Sequence, residues 1–294
     1  MNIVLRTLST KTMKPAWLNK KISLKDCAVM KQALRNLGVE TVCEQAMCPN
    51  IGECFSRKTA TFLILGRICT RGCSFCNIQK ARPLPVDLNE PSRVAQAAAQ
   101  LGLKHVVITS VTRDDLTDGG AEIFARTVML IRKKLPQVKI ETLIPDFGFS
   151  VDALKIVVKA KPDIIAHNLE TVPSLYKVVR QGADYAGSVG LLRALKEIAP
   201  QLKTKSGLML GLGEKVDEVL AVMQDLRSVK CDLLSIGQYL APSKQHYPVK
   251  DYISLEQFDC YKEKGRDLGF LHIESAPYVR SSYLAAEYLS LKDN

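Results

Sequence analysis

TATFLILGRICTRGCSFC, residues 59–76, runs from an apolar, β-branched segment straight into three cysteines spaced CxxxCxxC. Its first eight residues read as a strand covered on both faces, because the apolar run is near-continuous and does not alternate. The cysteine loop then follows at the C-terminal end of that strand, where parallel α/β folds build their sites. Five further runs of the same kind recur at residues 104–111, 139–146, 163–170, 205–213 and 233–240. Stretches with helical spacing fall between them at residues 91–101, 121–135, 151–159, 189–198 and 216–229. Strand and helix alternate, which predicts an α/β fold with a parallel sheet. Six units are too few for a closed eight-stranded barrel, so the expectation is an open, partial (β/α)6 TIM-like barrel over residues 59–269. Residues 1–58 and 270–294 are expected to be extensions that cap it.

Composition narrows the class. The chain has 294 residues, with 47% hydrophobic and 24% charged, the balance of an ordinary globular protein with a buried core. Its net charge of +11 favours a partner with an acidic surface. The basic clusters Lys20–Lys21 and Arg132–Lys133–Lys134 are short and lack interleaved aromatic residues, so they read as solvated faces and no nucleic-acid partner is expected. No run approaches the roughly 18 apolar residues of a membrane helix, and no secretory signal is evident, so no membrane partner is expected either. Residues 1–14 are basic and hold no acid, a composition shared with transit peptides. The expected location is the cytoplasm, with an organelle matrix as the alternative.

Nine cysteines are present, and six of them crowd into residues 43–76. Clustered thiols in a chain of this size point to metal, whereas a disulfide scaffold is usually short and spreads its cysteines. Cys69, Cys73 and Cys76 can hold three irons of a cubane cluster and leave the fourth open to a small molecule. Zinc is the alternative, but a structural zinc site wants a fourth protein ligand that this loop lacks. CEQAMCPNIGEC, residues 43–54, supplies a second trio in Cys43, Cys48 and Cys54, and hence a second cluster. Cys27, Cys231 and Cys260 stand alone and read as buried small hydrophobes.

Polar residues collect at the ends of the predicted strands: Thr109, Ser110, Arg113, Asp114 and Asp115, then Asp146, Asn168, Glu170, Glu214 and Gln238. Individually many would cap helices, but as a set they mark one mouth. KSGLMLGLGE, residues 205–214, is glycine-rich yet matches neither GxxxxGK[ST] nor GxGxxG, so a phosphate-binding loop and a dinucleotide fingerprint are rejected. Its glycines still allow backbone to approach a flat ring. The four histidines are scattered and form no nucleophile dyad. Ser282, ahead of the helix-like stretch YLAAEY, is the natural N-cap of a C-terminal helix, although Ala285 stands where a capping box would place Glu or Gln.

At these residues the chain closely resembles the lipoyl synthases of the radical S-adenosylmethionine (SAM) superfamily. CxxxCxxC is the superfamily mark. The upstream CxxxxCxxxxxC and RSSY, residues 280–283, resemble the pattern peculiar to lipoyl synthases. KPAWLNKKI, SVTRDDLTDGGA, IETLIPDF, HNLETVPSLY, GLMLGLGE and QYLAPSKQHYPV look like family sequence too, so the likeness spans about residues 14–288. Two 4Fe–4S clusters and SAM follow as cofactors. The resemblance implies that Cys69, Cys73 and Cys76 hold the cluster that binds and reductively cleaves SAM. It also implies that Cys43, Cys48, Cys54 and Ser282 hold an auxiliary cluster that gives up sulfur. Ser110, Asn168, Glu170, Gly207, Gly211 and Glu214 would surround SAM. The reaction would insert two sulfur atoms at carbons six and eight of a protein-bound octanoyl-lysine, giving lipoyl-lysine. Partners would be octanoylated carrier domains of 2-oxoacid dehydrogenase complexes and the glycine cleavage H protein, a ferredoxin- or flavodoxin-type electron donor, and an iron–sulfur cluster carrier. Ala81, Ala166 and Ala276 depart from the family pattern, which bears on local loop shape. Two rivals remain at the level of sequence: another two-cluster radical SAM sulfurtransferase or methylthiotransferase, and a zinc-stapled nucleic-acid-binding module.

Overall fold

The computed structural model describes residues 14–19, 24–57 and 59–283. Residues 1–13, Lys20, Lys21 and the helix that a Ser282 cap requires lie outside them. The strands are β1 (Glu40–Thr41), β2 (Thr61–Ile64), β3 (Ile68–Cys69), β4 (Gln79–Lys80), β5 (His105–Ser110), β6 (Lys139–Leu143), β7 (Ile164–Ala166), β8 (Lys203–Leu210), β9 (Leu233–Gln238) and β10 (His272–Ser275). The helices are α1 (Leu24–Asn36), α2 (Val42–Gln45), α3 (Ile51–Ser56), α4 (Glu90–Gln100), α5 (Ala121–Lys134), α6 (Val151–Lys159), α7 (Tyr176–Val179), α8 (Tyr185–Ile198), α9 (Val216–Ser228) and α10 (Leu255–Asp267).

Eight strands form one sheet in the order β1-β2-β5-β6-β7-β8-β9-β10, while β3 and β4 pair separately. Every pair in the large sheet is parallel except β1–β2. β1 and β10 are its edges, so the barrel is open, and each of the six predicted strands has a counterpart in it. β10 continues the sheet beyond residue 269, beside β9. Its sequence HIES alternates half-buried with buried, which is why it gives no apolar run to read.

Helices α4, α5, α6, α8, α9 and α10 each carry a set of buried residues. On α5 the buried residues Ile123, Phe124, Thr127, Val128 and Ile131 recur at the spacing of one helical face. Fully enclosing a side chain such as Phe124 contributes about 2–3 kcal/mol, and it meets Phe147 edge-on with ring centroids 5.8 Å apart. Helix starts are set by short polar side chains: Ser150 Oγ accepts from Ala153 N at 3.2 Å before α6, and Ser254 Oγ from Gln257 N at 3.2 Å before α10. Asp184 caps Gly187 N in the same way and starts α8 at Tyr185, earlier than the predicted residue 189.

One expectation about the solitary cysteines is corrected. Cys231 is buried, but Cys260 is exposed, because the buried stripe of α10 runs through Phe258, Tyr261 and Gly265 and leaves position 260 on the solvent side. No helix among the described residues is long and apolar enough to cross a membrane.

Candidate functional site

The loop between β2 and α4 carries the first trio of cysteines. β3 and β4 pair parallel, Ile68 with Gln79 and Cys69 with Lys80, and so draw the ends of the cysteine segment together. Its middle is bolted to the barrel rim. Ser74 N donates to Val179 O at 3.0 Å, Tyr247 N to Ser74 O at 2.9 Å, and Thr70 N to Thr112 O at 3.0 Å. Arg71, between two of the cysteines, spans Asp114 and Asp146: Nε and Nη2 donate to Asp114 at 2.9 and 2.7 Å, and Nη2 to Asp146 at 2.9 Å. The backbone amides of Arg71 and Thr112 both approach Cys69 Sγ at 3.4 Å, the kind of N–H to sulfur contact that tunes an iron–sulfur centre. Burial raises the pKa of Cys73, while the guanidinium of Arg180 pulls it down. Burial pushes the Cys76 thiol up to about 12, helped by Cys73 and Cys69 nearby.

The second trio sits on the N-terminal segment. Thr41 Oγ1 caps α2, and Cys48 N donates to Cys43 O at 3.0 Å, folding CEQAMC into one tight turn. Cys54 follows on α3, its amide on Asn50 O at 2.9 Å. Burial pushes the Cys43 thiol up to about 12, and Cys48 and Cys54 stand close enough to add to that. Among the described residues no three His, Cys, Asp or Glu side chains gather tightly enough to hold one metal ion. A cubane distributes its three thiolates over three irons, so trios of soft donors with amides aimed at sulfur suit it.

One cavity of about 440 Å³ opens between the trios. Cys76 borders it from the first, Cys43 and Cys48 from the second, and Ser282 from the C-terminal segment; Cys54, Cys69 and Cys73 do not reach it. Ser281 and Ser282 are the central residues of a turn closed by Tyr283 N on Arg280 O at 2.9 Å, which presents them at its tip. That turn is tied to the N-terminal segment by Asn50 Nδ2 on Tyr278 O at 2.6 Å and by Tyr283 Oη on Glu53 Oε1 at 3.0 Å.

Of the residues expected around SAM, Asn168, Glu170 and Gly207 line the cavity. Asn168 Oδ1 is buried with no hydrogen-bond partner among the described residues, an acceptor in want of a polar ligand, as is the Oγ of Ser110, which lies outside the cavity lining. A Cβ on Gly207 would lie 2.8 Å from Asn168 Oδ1 and 2.9 Å from Ser235 Oγ, so this wall stays low only because the residue is glycine. Burial raises the Glu170 carboxyl, opposed by Arg180. The chain turns at Glu170 with φ at 67°, which re-aims its side chain as the strand ends. These groups fit a zwitterionic, nucleoside-bearing cofactor beside an iron–sulfur loop. Gly211 and Glu214 lie past the cavity, where the Glu214 carboxylate accepts from Gly211 N at 2.6 Å and Leu212 N at 2.9 Å and shapes the strand-end turn.

Other polar residues of the mouth are scaffold. Arg113 is locked to Asp115 at 2.8 and 2.9 Å, and Gln238 Nε2 ties together Leu210 O, Tyr239 O and Asp251 O at 3.0–3.1 Å. Three features escaped the sequence reading: Arg180 beside the first trio, the apolar wall from Tyr239 to Pro242, and the buried Lys205. An arginine shortly after HNLE and the quoted QYLAP were the signals at hand for the first two.

Comparison with known proteins agrees with this geometry. The radical SAM superfamily model matches residues 63–226. A protein named lipoyl synthase from Geobacter sp. strain M21 is 57% identical over 279 residues, covering 95% of this chain and 96% of that one. Another with that name, from Caldanaerobacter subterraneus, is 55% identical over 278 residues, covering 95% and 98%. Among solved structures, methylornithine synthase superposes with a TM-score of 0.55 at 15% identity over 72% of this chain and 70% of its own. The FeFe-hydrogenase maturase HydG from Carboxydothermus hydrogenoformans gives 0.54 at 15% over 92% and 72%. Those two likenesses show the partial-barrel fold. With identity above one half over 95% of its length, and with Cys76 of one trio and Cys43 and Cys48 of the other lining one cavity, the chain belongs to the lipoyl synthase family of the radical SAM superfamily.

Proposed function

We propose that the chain works as a lipoyl synthase through the residues around this cavity, inserting two sulfur atoms at carbons six and eight of an octanoyl-lysine on a carrier domain. The observation that carries this reading is a single, mostly apolar cavity bounded by a cysteine of one trio and by two cysteines and Ser282 of the other. Two 4Fe–4S clusters and SAM supply the chemistry: a carbon-centred radical able to abstract hydrogen from an unactivated carbon, and sulfur to replace that hydrogen.

The protein's part is binding, orientation and exclusion of water. Cys69, Cys73 and Cys76 hold the first cluster, and the Arg71–Asp114–Asp146 bridge fixes their loop against the barrel. Ser110, Asn168, Glu170 and the bare backbone at Gly207 hold SAM, while Gly211 and Glu214 act one step back by shaping the strand end. Cys43, Cys48, Cys54 and Ser282 hold the auxiliary cluster. An octanoyl chain would lie along the apolar wall from Tyr239 to Pro242. Ser282 would offer the cluster a hard oxygen where its other ligands would be soft sulfur, a weaker match for iron than thiolate.

The carriers are octanoylated domains of 2-oxoacid dehydrogenase complexes and the glycine cleavage H protein, with a ferredoxin- or flavodoxin-type donor and an iron–sulfur cluster carrier. The charge of +11 suits acidic partners of this kind. Six cysteines crowded into residues 43–76 suit metal binding in a reducing compartment such as the cytoplasm. The test is anaerobic: reconstituted protein receives SAM, reductant and an octanoylated lipoyl-domain peptide. The peptide should gain two sulfurs and lose two hydrogens by mass. Release of 5′-deoxyadenosine with no sulfur entering the peptide would reject the reading.

A further inference from the structure

Lys205 and Glu141 have no exposed side-chain surface. They meet inside the barrel from β8 and β6, reaching across β7, with Nζ 3.1 Å from Oε1 and 3.3 Å from Oε2. His105 of β5 lies on the far side of the pair, its Nε2 3.8 Å from Glu141. Burial is the largest single influence and would raise the Glu141 carboxyl, but Lys205 and His105 together outweigh it and hold the carboxyl below its usual value. Stability does not account for such a pair. Desolvation consumes most of its attraction, and apolar residues of similar volume are commonly as stable.

A third contact gives it a purpose. Lys205 Nζ also donates to the carbonyl oxygen of Ser281. That oxygen belongs to the Ser281–Ser282 peptide group, whose atoms are coplanar through Cα of Ser282. Holding it therefore sets where residue 282 leaves the turn. Ser281 is gripped a second time, its Oγ accepting from Asn168 Nδ2 at 2.6 Å. The turn is thus pinned to the barrel floor by Lys205 and to the mouth by Asn168, with Ser282 facing the cavity beside Cys43 and Cys48.

We propose that Lys205, held by Glu141, is a positioning residue that aims Ser282 at the second cysteine trio. The proposal rests on the reading of Ser282 as fourth ligand of the auxiliary cluster. It makes the barrel interior a mount for the C-terminal segment as well as a packed core. Lys205 touches neither substrate nor cluster and acts through the backbone of Ser281.

Lys205→Met alone strands the Glu141 charge and is expected to destabilise the chain. The informative protein is Lys205→Met/Glu141→Leu, which replaces the pair by apolar groups of similar volume. It is reconstituted as the full chain beside wild type and Ser282→Ala, and each is followed by thermal melting, iron content, Mössbauer spectrum, 5′-deoxyadenosine release and peptide mass. The double variant is expected to melt near wild type and still release 5′-deoxyadenosine. It should lose the same oxygen-ligated iron environment that Ser282→Ala loses, with lipoyl formation down about 10²-fold, as for ångström-scale misplacement of a reacting group. A spectrum changed in Ser282→Ala but intact in the double variant would overturn the positioning role and leave the ligand reading standing. An intact spectrum in Ser282→Ala would overturn both. Failure of the double variant to fold would show the pair to be structural and would also overturn the proposal.

Discussion

Asn168 and Ser281, 113 residues apart in sequence, share a hydrogen bond of 2.6 Å from the side-chain amide of the first to the hydroxyl of the second. The same amide nitrogen donates to Glu170 Oε1 at 3.0 Å, so one side chain joins the cavity-lining strand end to the C-terminal turn. Ser281→Ala should lower stability by about 1 kcal/mol, the net value of one such bond. It should also raise the amount of 5′-deoxyadenosine released per lipoyl group. Melting and product ratios check this, and an unchanged ratio would deny the linkage.

Cys73→Ala should abolish 5′-deoxyadenosine formation and remove about half of the bound iron, because a cubane stripped of one of three thiolates cannot be kept with an open iron. Iron analysis and nucleoside chromatography decide it. Normal cofactor cleavage in that variant would undo the assignment of the first trio.

Gly207→Ala should leave the fold intact but weaken SAM binding. The added methyl would lie 2.8 Å from Asn168 Oδ1 and 2.9 Å from Ser235 Oγ, inside normal contact on both sides. A rise of about tenfold in the KM for SAM, or ~1.4 kcal/mol, is expected. A titration with unaltered affinity would remove Gly207 from the cofactor wall.

Association with an acidic, octanoylated carrier domain should slow by at least about tenfold from low to high salt, since the attraction of a +11 chain is screened within a Debye length. Stopped-flow binding at several ionic strengths measures this. A flat profile would mean that encounter is not steered by charge.

Acid sensitivity should trace in part to Asp163, far from the cavity. Burial works to raise its pKa, but Arg132 at 2.7 Å, Ile140 N at 2.9 Å and Lys139 at 3.0 Å hold it below the usual carboxylate value. A depressed folded pKa contributes stability that is complete above about pH 4, the ordinary unfolded value, and is lost as pH falls through the folded one. Asp163→Asn should therefore cost about 2 kcal/mol at neutral pH and progressively less below pH 4. Equal penalties across that range would refute the account.

Much of the fold was legible because near-continuous apolar runs and helical spacing are local signals. Residues 104–111 and 139–146 announce β5 and β6 without help from distant chain. β10 was hidden since HIES alternates and is short, and Cys260 was misplaced since a lone cysteine carries no facing information until the stripe of α10 is known. Around the candidate site, the first cysteine trio was legible from its spacing, and the second from its place beside the first. That the Glu214 carboxylate accepts from Gly211 N and Leu212 N depends on geometry and was not legible in the sequence.

The amino-acid sequence by itself determined the alternating α/β architecture, the two trios and the family, all of which rest on residues near one another in the chain. Only the tertiary structure decided that one cavity faces Cys76, Cys43, Cys48 and Ser282, that Arg71 bridges Asp114 and Asp146, and that Lys205 reaches the Ser281 carbonyl through the barrel. Those contacts join residues tens to hundreds of positions apart. They exist because a curved parallel sheet brings the interior side chains of alternate strands together, and no local pattern of residues encodes that meeting.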